Sequence, residues 1–278
     1  MNYKLLAIDL DGTLLTDDKR ILKENKEVLA ILAQKGLEII IATGRRYWSA
    51  KNFAKELGIE LTILANNGNI VRRISDDKVL IANYLDREDF NRVVKKGREI
   101  GLYPILHVDH YEEGYDLLIE EDEEGIKYSN YVKKNVIRHK KIKNILDYEE
   151  SKILVICYEN SYETLREFEE KIHKEYPQKF NTHILMNGLD VEPMLEIMSL
   201  KGSKWLSLKN YAKDRGIDES QIIAIGDDNN DVEMVEKAGL GIAMKNGTDK
   251  IKNAADIITK KTNNEAGVSQ ILKEIFRI

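Results

Sequence analysis

The amino-acid sequence predicts an α/β protein: a doubly wound, Rossmann-like core with a mostly parallel sheet, interrupted by a second, smaller α+β domain. Three observations carry this. Short apolar runs at residues 4–8, 37–42, 61–65, 222–225, 240–244 and 255–259 are continuous rather than alternating, as strands covered on both faces must be. Helical patterns at 23–35, 47–57, 204–215 and 231–237 lie between those runs, the strand–helix–strand order of a doubly wound fold. From about 85 to 191 the pattern changes, with helical periodicity at 87–100 and 162–175 beside alternating strands at 115–119, 152–158 and 180–186. The expected division is a first domain of residues 1–84 and 192–278, with 85–191 inserted. Within the insertion, an acidic run at 120–124 and a basic run at 133–143 read as solvated faces or loops.

Composition narrows the function. A net charge of -5 argues against a general affinity for nucleic acid, whose backbone demands a basic face. No apolar run approaches the length that crosses a bilayer, so no membrane partner is expected. The opening MNYKLLAIDLDG turns acidic within a few residues of its leucines, unlike a secretory leader. The single cysteine, Cys157, sits in the apolar run KILVICY, reads as a buried thiol and permits no disulfide within the chain. These features predict a cytoplasmic protein, in which the Asn246-Gly247-Thr248 triplet is no glycosylation signal.

In a doubly wound sheet, ligands bind where strands end at their carboxyl edge. The run at 4–8 leads directly into Asp9-Leu10-Asp11-Gly12-Thr13-Leu14. Residues two apart in extended chain face the same way, so Asp9 and Asp11 point together, and Gly12 lets the backbone turn. Carboxylates held so close repel unless they share a proton or a cation, and a hard divalent ion such as Mg²⁺ supplies the cation. One carboxylate can then attack a phosphorus atom while the other gives and takes the leaving-group proton. Asp and Gly also form ordinary surface turns, but the apolar strand aimed at this pair argues against that.

Three further strings end or follow apolar runs. In Ala42-Thr43-Gly44-Arg45, a hydroxyl, the neighbouring N–H groups and the start of a helix make an anion pocket. Arg45 offers two donors to a phosphate or another acidic part of a substrate, and Thr43 is equally suited to cap the helix. Gly226-Asp227-Asp228-Asn229-Asn230-Asp231 is a like-charged cluster that a bound cation relieves, with Asp231 also placed as a helix N-cap. Lys201-Gly202-Ser203-Lys204 supplies a lysine that would neutralise nucleophile and phosphate together.

The order of these strings, acid pair, Thr/Ser, Lys, second acid cluster, resembles the haloacid dehalogenase-like superfamily over the whole chain. DLDGTL, ATGR, Asn66-Asn67-Gly68, LEIM…SK and GDDNND look most like its Cof-type branch, as do Asn246-Gly247 and Asn263-Asn264-Glu265-Ala266-Gly267-Val268. That branch carries an α/β cap between the second and third motifs, which implies that residues 85–191 select the substrate. The resemblance implies that Asp9 is the nucleophile and a ligand of Mg²⁺, and that Asp11 binds the metal through its backbone carbonyl while its side chain acts as acid, then base. It implies Asp227 as a third metal ligand with Asp231 behind it. Thr43, Gly44, the Leu10 N–H and Asn230 would grip the phosphoryl oxygens. Spacing from Leu195-Glu196-Ile197-Met198 and from Gly216-Ile217 selects Lys204 as the lysine. The family tripeptide SKG is Ser203-Lys204-Trp205 here, which keeps Lys201 as a rival.

The implied activity is a Mg²⁺-dependent phosphatase of small phosphorylated metabolites, sugar phosphates first and cofactors such as flavin mononucleotide or pyridoxal phosphate next. The rivals are a phosphomutase of the same fold and a regulatory binding protein without turnover, the latter disfavoured because each catalytic position holds a competent residue. In the insertion, His107, Asp109 and His110 read as surface or packing residues rather than a metal site. His139, His173 and His183 read as surface residues, and Tyr103, Tyr111, Tyr115, Tyr128 and Tyr131 as core or surface.

Overall fold

The computed structural model describes residues 3–122, 127–128, 138–186 and 192–278. Its strands are β1 (Leu5–Ile8), β2 (Glu38–Ala42), β3 (Thr62–Ala65), β4 (Ile70–Arg73), β5 (Val79–Ala82), β6 (Ile105–His110) and β7 (Tyr115–Glu120). They continue with β8 (His139–Ile142), β9 (Ile153–Glu159), β10 (Phe180–Leu185), β11 (Met194–Ser199), β12 (Ile222–Gly226), β13 (Leu240–Ala243) and β14 (Ile257–Ile258). The described helices are α1 (Lys23–Gln34), α2 (Tyr47–Ala54), α3 (Arg87–Arg98), α4 (Tyr162–Glu175), α5 (Lys204–Lys213), α6 (Val232–Lys237), α7 (Asp249–Ala254) and α8 (Gly267–Phe276). The chain divides into two compact units, Met1–Ala82 with Ser203–Ile278, and Asn83–Gly202.

The first unit is built on the sheet β14-β13-β12-β1-β2-β3-β4-β5. Strands β14 through β3 run parallel, while β4 and β5 are added antiparallel at one edge. β1 lies between β12 and β2, and all four of its residues are buried, which explains its unbroken apolar run. Helix α5 starts at Ser203, whose hydroxyl accepts the Leu206 N–H at 3.0 Å. Trp205, Leu208, Tyr211 and Ala212 then bury one face of α5 beside Leu5, Ala7, Ile40 and Ile222. The β4–β5 hairpin was not anticipated, because each strand is only four residues long, β4 ends in two arginines and β5 is only half-buried.

The second unit carries the sheet β10-β11-β9-β6-β7-β8, antiparallel except for β7 beside β8. Alternate residues of each strand enter one apolar core: Leu106 and Val108 of β6, Ile156 and Tyr158 of β9, Leu195 and Ile197 of β11, with Phe90 of α3 and Phe168 of α4. The expected boundary at 191/192 assigned Met194–Ser199 to the first domain. Those residues instead pair between β9 and β10, and the unit runs to Gly202.

One reading of charge is corrected here, and another is narrowed from surface or packing to packing. Glu120, in the acidic run, is not solvated: it ends β7 buried, paired with Arg98 and accepting the Ile145 N–H at 2.8 Å. His107, Asp109 and His110 lie in the buried strand β6, where His110 stacks on Tyr115 at 4.5 Å and meets the Tyr148 hydroxyl at 2.6 Å. Residues 123–124 of the acidic run, 133–137 of the basic run and Tyr131 lie outside the described residues. Among the described residues, no helix is long and apolar enough to cross a membrane.

Leu208→Ala empties a fully buried position between α5 and the sheet. It is expected to destabilise the first unit by about 2–5 kcal/mol. Urea unfolding followed by tryptophan fluorescence checks this selectively, because Trp48 and Trp205 both lie in that unit.

Candidate active site

The chemistry gathers where parallel strands end. β1 and β12 are in register with Ile8 beside Ile225, and the Asp9 N–H donates to the Ile225 carbonyl at 3.0 Å. Asp9 and Asp227 therefore leave the sheet side by side. β2 flanks β1 on the other side with Ile41 beside Ile8, which brings Thr43 to the same edge.

Lys204, at the start of α5, is 2% exposed. Its Nζ donates to Asp9 Oδ1 at 2.7 Å and to Asp231 Oδ1 at 2.6 Å. Asp9 is 5% and Asp231 1% exposed. The second oxygen of Asp231 accepts the backbone N–H groups of Asp227 and Asp228 at 3.2 and 3.3 Å. Asp227 accepts the Thr13 hydroxyl at 2.8 Å. One carboxylate oxygen from each of Asp9, Asp227 and Asp231 lies within 4.8 Å of the others. Gly12 is what lets the Asp9 loop pass Asp227: its φ is +76°, and a Cβ there would meet Asp227 Oδ2 at 2.1 Å.

The electrostatics follow from this crowding. Burial, the largest influence, pushes the Asp9 carboxyl well above its ordinary value; the charges of Asp231 and Asp227 push the same way, against Lys204. Burial also raises Asp227, with Asp231 adding to it, to about 7 despite the Thr13 hydrogen bond and Lys204. For Lys204, burial favours the neutral amine, but the charges of Asp231 and Asp9 outweigh it and hold the ammonium. Three carboxylates thus face one ammonium. The surplus is negative and every donor of the group is a hard oxygen, the set that suits a hard divalent cation.

Asp11 stands apart from this group. Its carboxylate is clamped by Arg45, with Nε 2.5 Å from Oδ2 and Nη2 2.7 Å from Oδ1, and Lys19 Nζ reaches Oδ1 at 2.7 Å. Burial pushes Asp11 up, yet the hydrogen bonds and charges of Arg45 and Lys19 bring it below its ordinary value. Arg45, expected to meet a substrate, is engaged here with Asp11. The parallel direction assumed for the Asp9 and Asp11 side chains ends at β1, because the chain is already turning at Leu10.

Thr43 is buried, and its hydroxyl accepts the Arg45 N–H at 3.1 Å. Gly44 adjoins Asn67, whose Oδ1 would lie 3.2 Å from an added Cβ. Asn230 donates to that same Asn67 oxygen at 2.9 Å. Leu10 is buried in the turn after β1, where its carbonyl accepts the Leu15 N–H at 2.8 Å. Asp231 bonds Lys204 and two amides instead of capping α6. Lys201 is exposed and falls in the second unit, whereas Lys204 reaches Asp9. Sequence reasoning missed Thr13, Lys19 and Asn67. Thr13 was within the DLDGT string and its signal was available; Lys19 lies in a polar stretch with nothing to mark it.

Comparison with known proteins places the chain in a family. Residues 6–272 match the haloacid dehalogenase-like hydrolase family, and the chain belongs to it. It is 28% identical to the Bacillus subtilis 5-amino-6-(5-phospho-D-ribitylamino)uracil phosphatase YcsE, over 98% of this chain and 96% of that protein. It is also 28% identical to B. subtilis phosphatase YwpJ, over 98% of this chain and all of that protein. The crystal structure of a haloacid dehalogenase-like hydrolase from Bacteroides thetaiotaomicron superposes with a TM-score of 0.81 at 26% identity, covering 99% of this chain and 100% of that one. Family and fold together make the chain a phosphoric monoester hydrolase.

The raised Asp227 gives a pH signature. Between its unfolded value near 3.8 and its folded value of about 7, the folded chain holds a proton that the unfolded chain has released. This contribution is therefore full below the lower value and is lost as pH rises to the upper one. In chelator, Asp227→Asn should melt above the wild type at pH 7.5, with the gap reduced to less than half by pH 5 and closing only below about pH 4. Melting curves across that range check it; a gap independent of pH contradicts the assignment.

Proposed function

We propose that this hydrolase is a Mg²⁺-dependent phosphatase of small phosphorylated metabolites that works through an aspartyl-phosphate on Asp9. The observation that supports it most is Asp9 itself, a buried carboxylate at a strand end, touching Lys204 and within a few ångströms of Asp227 and Asp231. The all-oxygen donor set fits Mg²⁺, which Asp9, Asp227 and the Asp11 carbonyl would hold with Asp231 behind them. When bound, the ion supplies charge neutralisation for the phosphoryl oxygens.

Asp9 attacks phosphorus in line, and the bond from phosphorus to the ester oxygen breaks. Asp11 gives its proton to the departing alkoxide. Water then attacks the phosphorus of the aspartyl-phosphate as Asp11 takes the water proton, which releases phosphate and restores the Asp9 carboxylate. Lys204 keeps Asp9 oriented and offsets charge on the transferring group. Thr43, Gly44, the Leu10 N–H and Asn230 hold the phosphoryl oxygens. For the acid step Asp11 must carry a proton, so its clamp to Arg45 has to loosen. An incoming phosphate that competes for the guanidinium would do this, which gives Arg45 a substrate-binding role as well.

None of these residues reads the alcohol part of the substrate, and we assign that choice to the inserted unit. Sugar phosphates are the first class to test. Two B. subtilis relatives, YcsE and YitU, are named as 5-amino-6-(5-phospho-D-ribitylamino)uracil phosphatases. Such a ribityl phosphate joined to a ring combines a sugar-phosphate-like chain with the features of flavin mononucleotide, so both belong in the panel with pyridoxal phosphate.

Phosphate release across that panel with Mg²⁺ tests the activity; an isomerised sugar phosphate without released phosphate would mark a mutase instead. Asp9→Asn removes the attacking charge at nearly constant shape and should lower kcat by at least about 10³-fold with unchanged circular dichroism. EDTA should stop turnover and Mg²⁺ restore it. Arg45→Met removes the main clamp from the half-buried Asp11, so the acidic limb of the pH–kcat profile should move to higher pH. A limb that stays in place would show that another group titrates there.

A further inference from the structure

The second unit holds a buried group of different chemistry. His107 of β6, Cys157 of β9 and Glu196 of β11 lie on three adjacent strands. Glu196 is directly opposite Cys157, while His107, opposite Val155, is diagonal to it. All three belong to the alternate set of residues that faces away from the apolar core. They are nonetheless 4%, 0% and 4% exposed. One ligand atom from each lies within 4.8 Å of the others.

We propose that His107, Cys157 and Glu196 form a Zn²⁺ site. Three features carry it. Imidazole, thiolate and carboxylate are the donor types zinc takes, and three protein ligands leave a fourth position open. Zinc bond lengths to nitrogen and sulfur, at a tetrahedral angle, place the two ligand atoms about 3.6 Å apart. His107 Nε2 and Cys157 Sγ are 3.6 Å apart. The ligand set also matches the ion in charge, since a dication, a thiolate, a carboxylate and a neutral imidazole sum to zero. The two sites would sort their metals by softness, since sulfur and imidazole favour zinc and the oxygen cluster at Asp9 favours Mg²⁺. On binding, the Cys157 S–H bond gives its proton to solvent and the sulfur bonds the metal. This inference does not rest on the phosphatase reading.

The test exploits the chain's single cysteine, because any metal–thiolate signal must come from Cys157. The full chain and its Cys157→Ser variant are produced in zinc-supplemented medium, purified without chelator in millimolar Mg²⁺, and analysed for metal by mass spectrometry. About one zinc per chain is expected in the wild type and none above background in the variant. After chelation, Co²⁺ added in the same Mg²⁺ should give a near-ultraviolet thiolate charge-transfer band that saturates at one equivalent and disappears on adding Zn²⁺. His107→Gln and Glu196→Gln should each weaken Co²⁺ binding at least tenfold, and Asp227→Asn should leave the band intact. Circular dichroism of each variant shows whether it folds, and the two Gln variants keep the test alive if Cys157→Ser does not. Zinc content equal in wild type and a folded Cys157→Ser, or no thiolate band in either the titrated protein or protein refolded with Co²⁺, overturns the site.

Discussion

The arrangement of the first unit depends on one costly act, bringing three carboxylates to a point and burying two of them almost completely. Isolated charges in such a place are disfavoured by several kcal/mol each. Lys204 is the one described side-chain cation that bonds directly to two of them, Asp9 and Asp231. Its ammonium is delivered by the first turn of α5, whose Trp205, Leu208 and Tyr211 are locked in the apolar core. Hydrophobic packing thus fixes a charge, and that charge makes the carboxylate cluster tolerable. One cation against three carboxylates leaves a deficit, and that deficit is the physical basis of the proposal that the site takes a further cation.

The backbone is shaped by the same demand. Side chains can converge only if the loops that carry them come closer than ordinary packing allows. Gly12 gives Asp227 its space, and Gly226 does the same for Asp231, whose Cβ would lie 2.5 Å from a Cβ at that position. Gly226 ends β12 and Gly12 lies in the turn after β1, two strands whose register is set by their running side by side. Sequence neighbours at 9–13 and 226–231 therefore become spatial neighbours without any long side chain having to reach.

This explains why the first unit was so legible in the sequence and the second less so. Its central parallel strands are covered on both faces, so they read as unbroken apolar runs, and the polar residues follow at strand ends where any strong polarity stands out. In the second unit, one sheet face packs on the apolar core while the other carries His107, Asp109, Cys157 and Glu196, so β6 looks like a polar cluster rather than a strand. β11 was lost for a related reason: Met194–Ser199 directly precedes the lysine motif and was read with it, though its partners lie in the insertion. Direction of side chains beyond a strand end was not legible either. Asp9 and Asp11 are spaced to point together, and only the turn at Leu10 separates Lys204's partner from Arg45's.

That separation has a chemical logic. In the proposed mechanism Asp9 attacks as the carboxylate, and the enclosed Lys204 ammonium fixes it and favours that form against the burial that disfavours it. An acid–base group must change its protonation within each cycle, which a fully enclosed ion pair resists. Asp11 is accordingly more exposed, and its partners Arg45 and Lys19 are both partly exposed side chains. Its low proton affinity favours the carboxylate, the form that accepts a proton from water, and displacement of the guanidinium would favour the acid. In the proposed reaction, two aspartates two residues apart thus divide attack from proton transfer because they differ in who holds them.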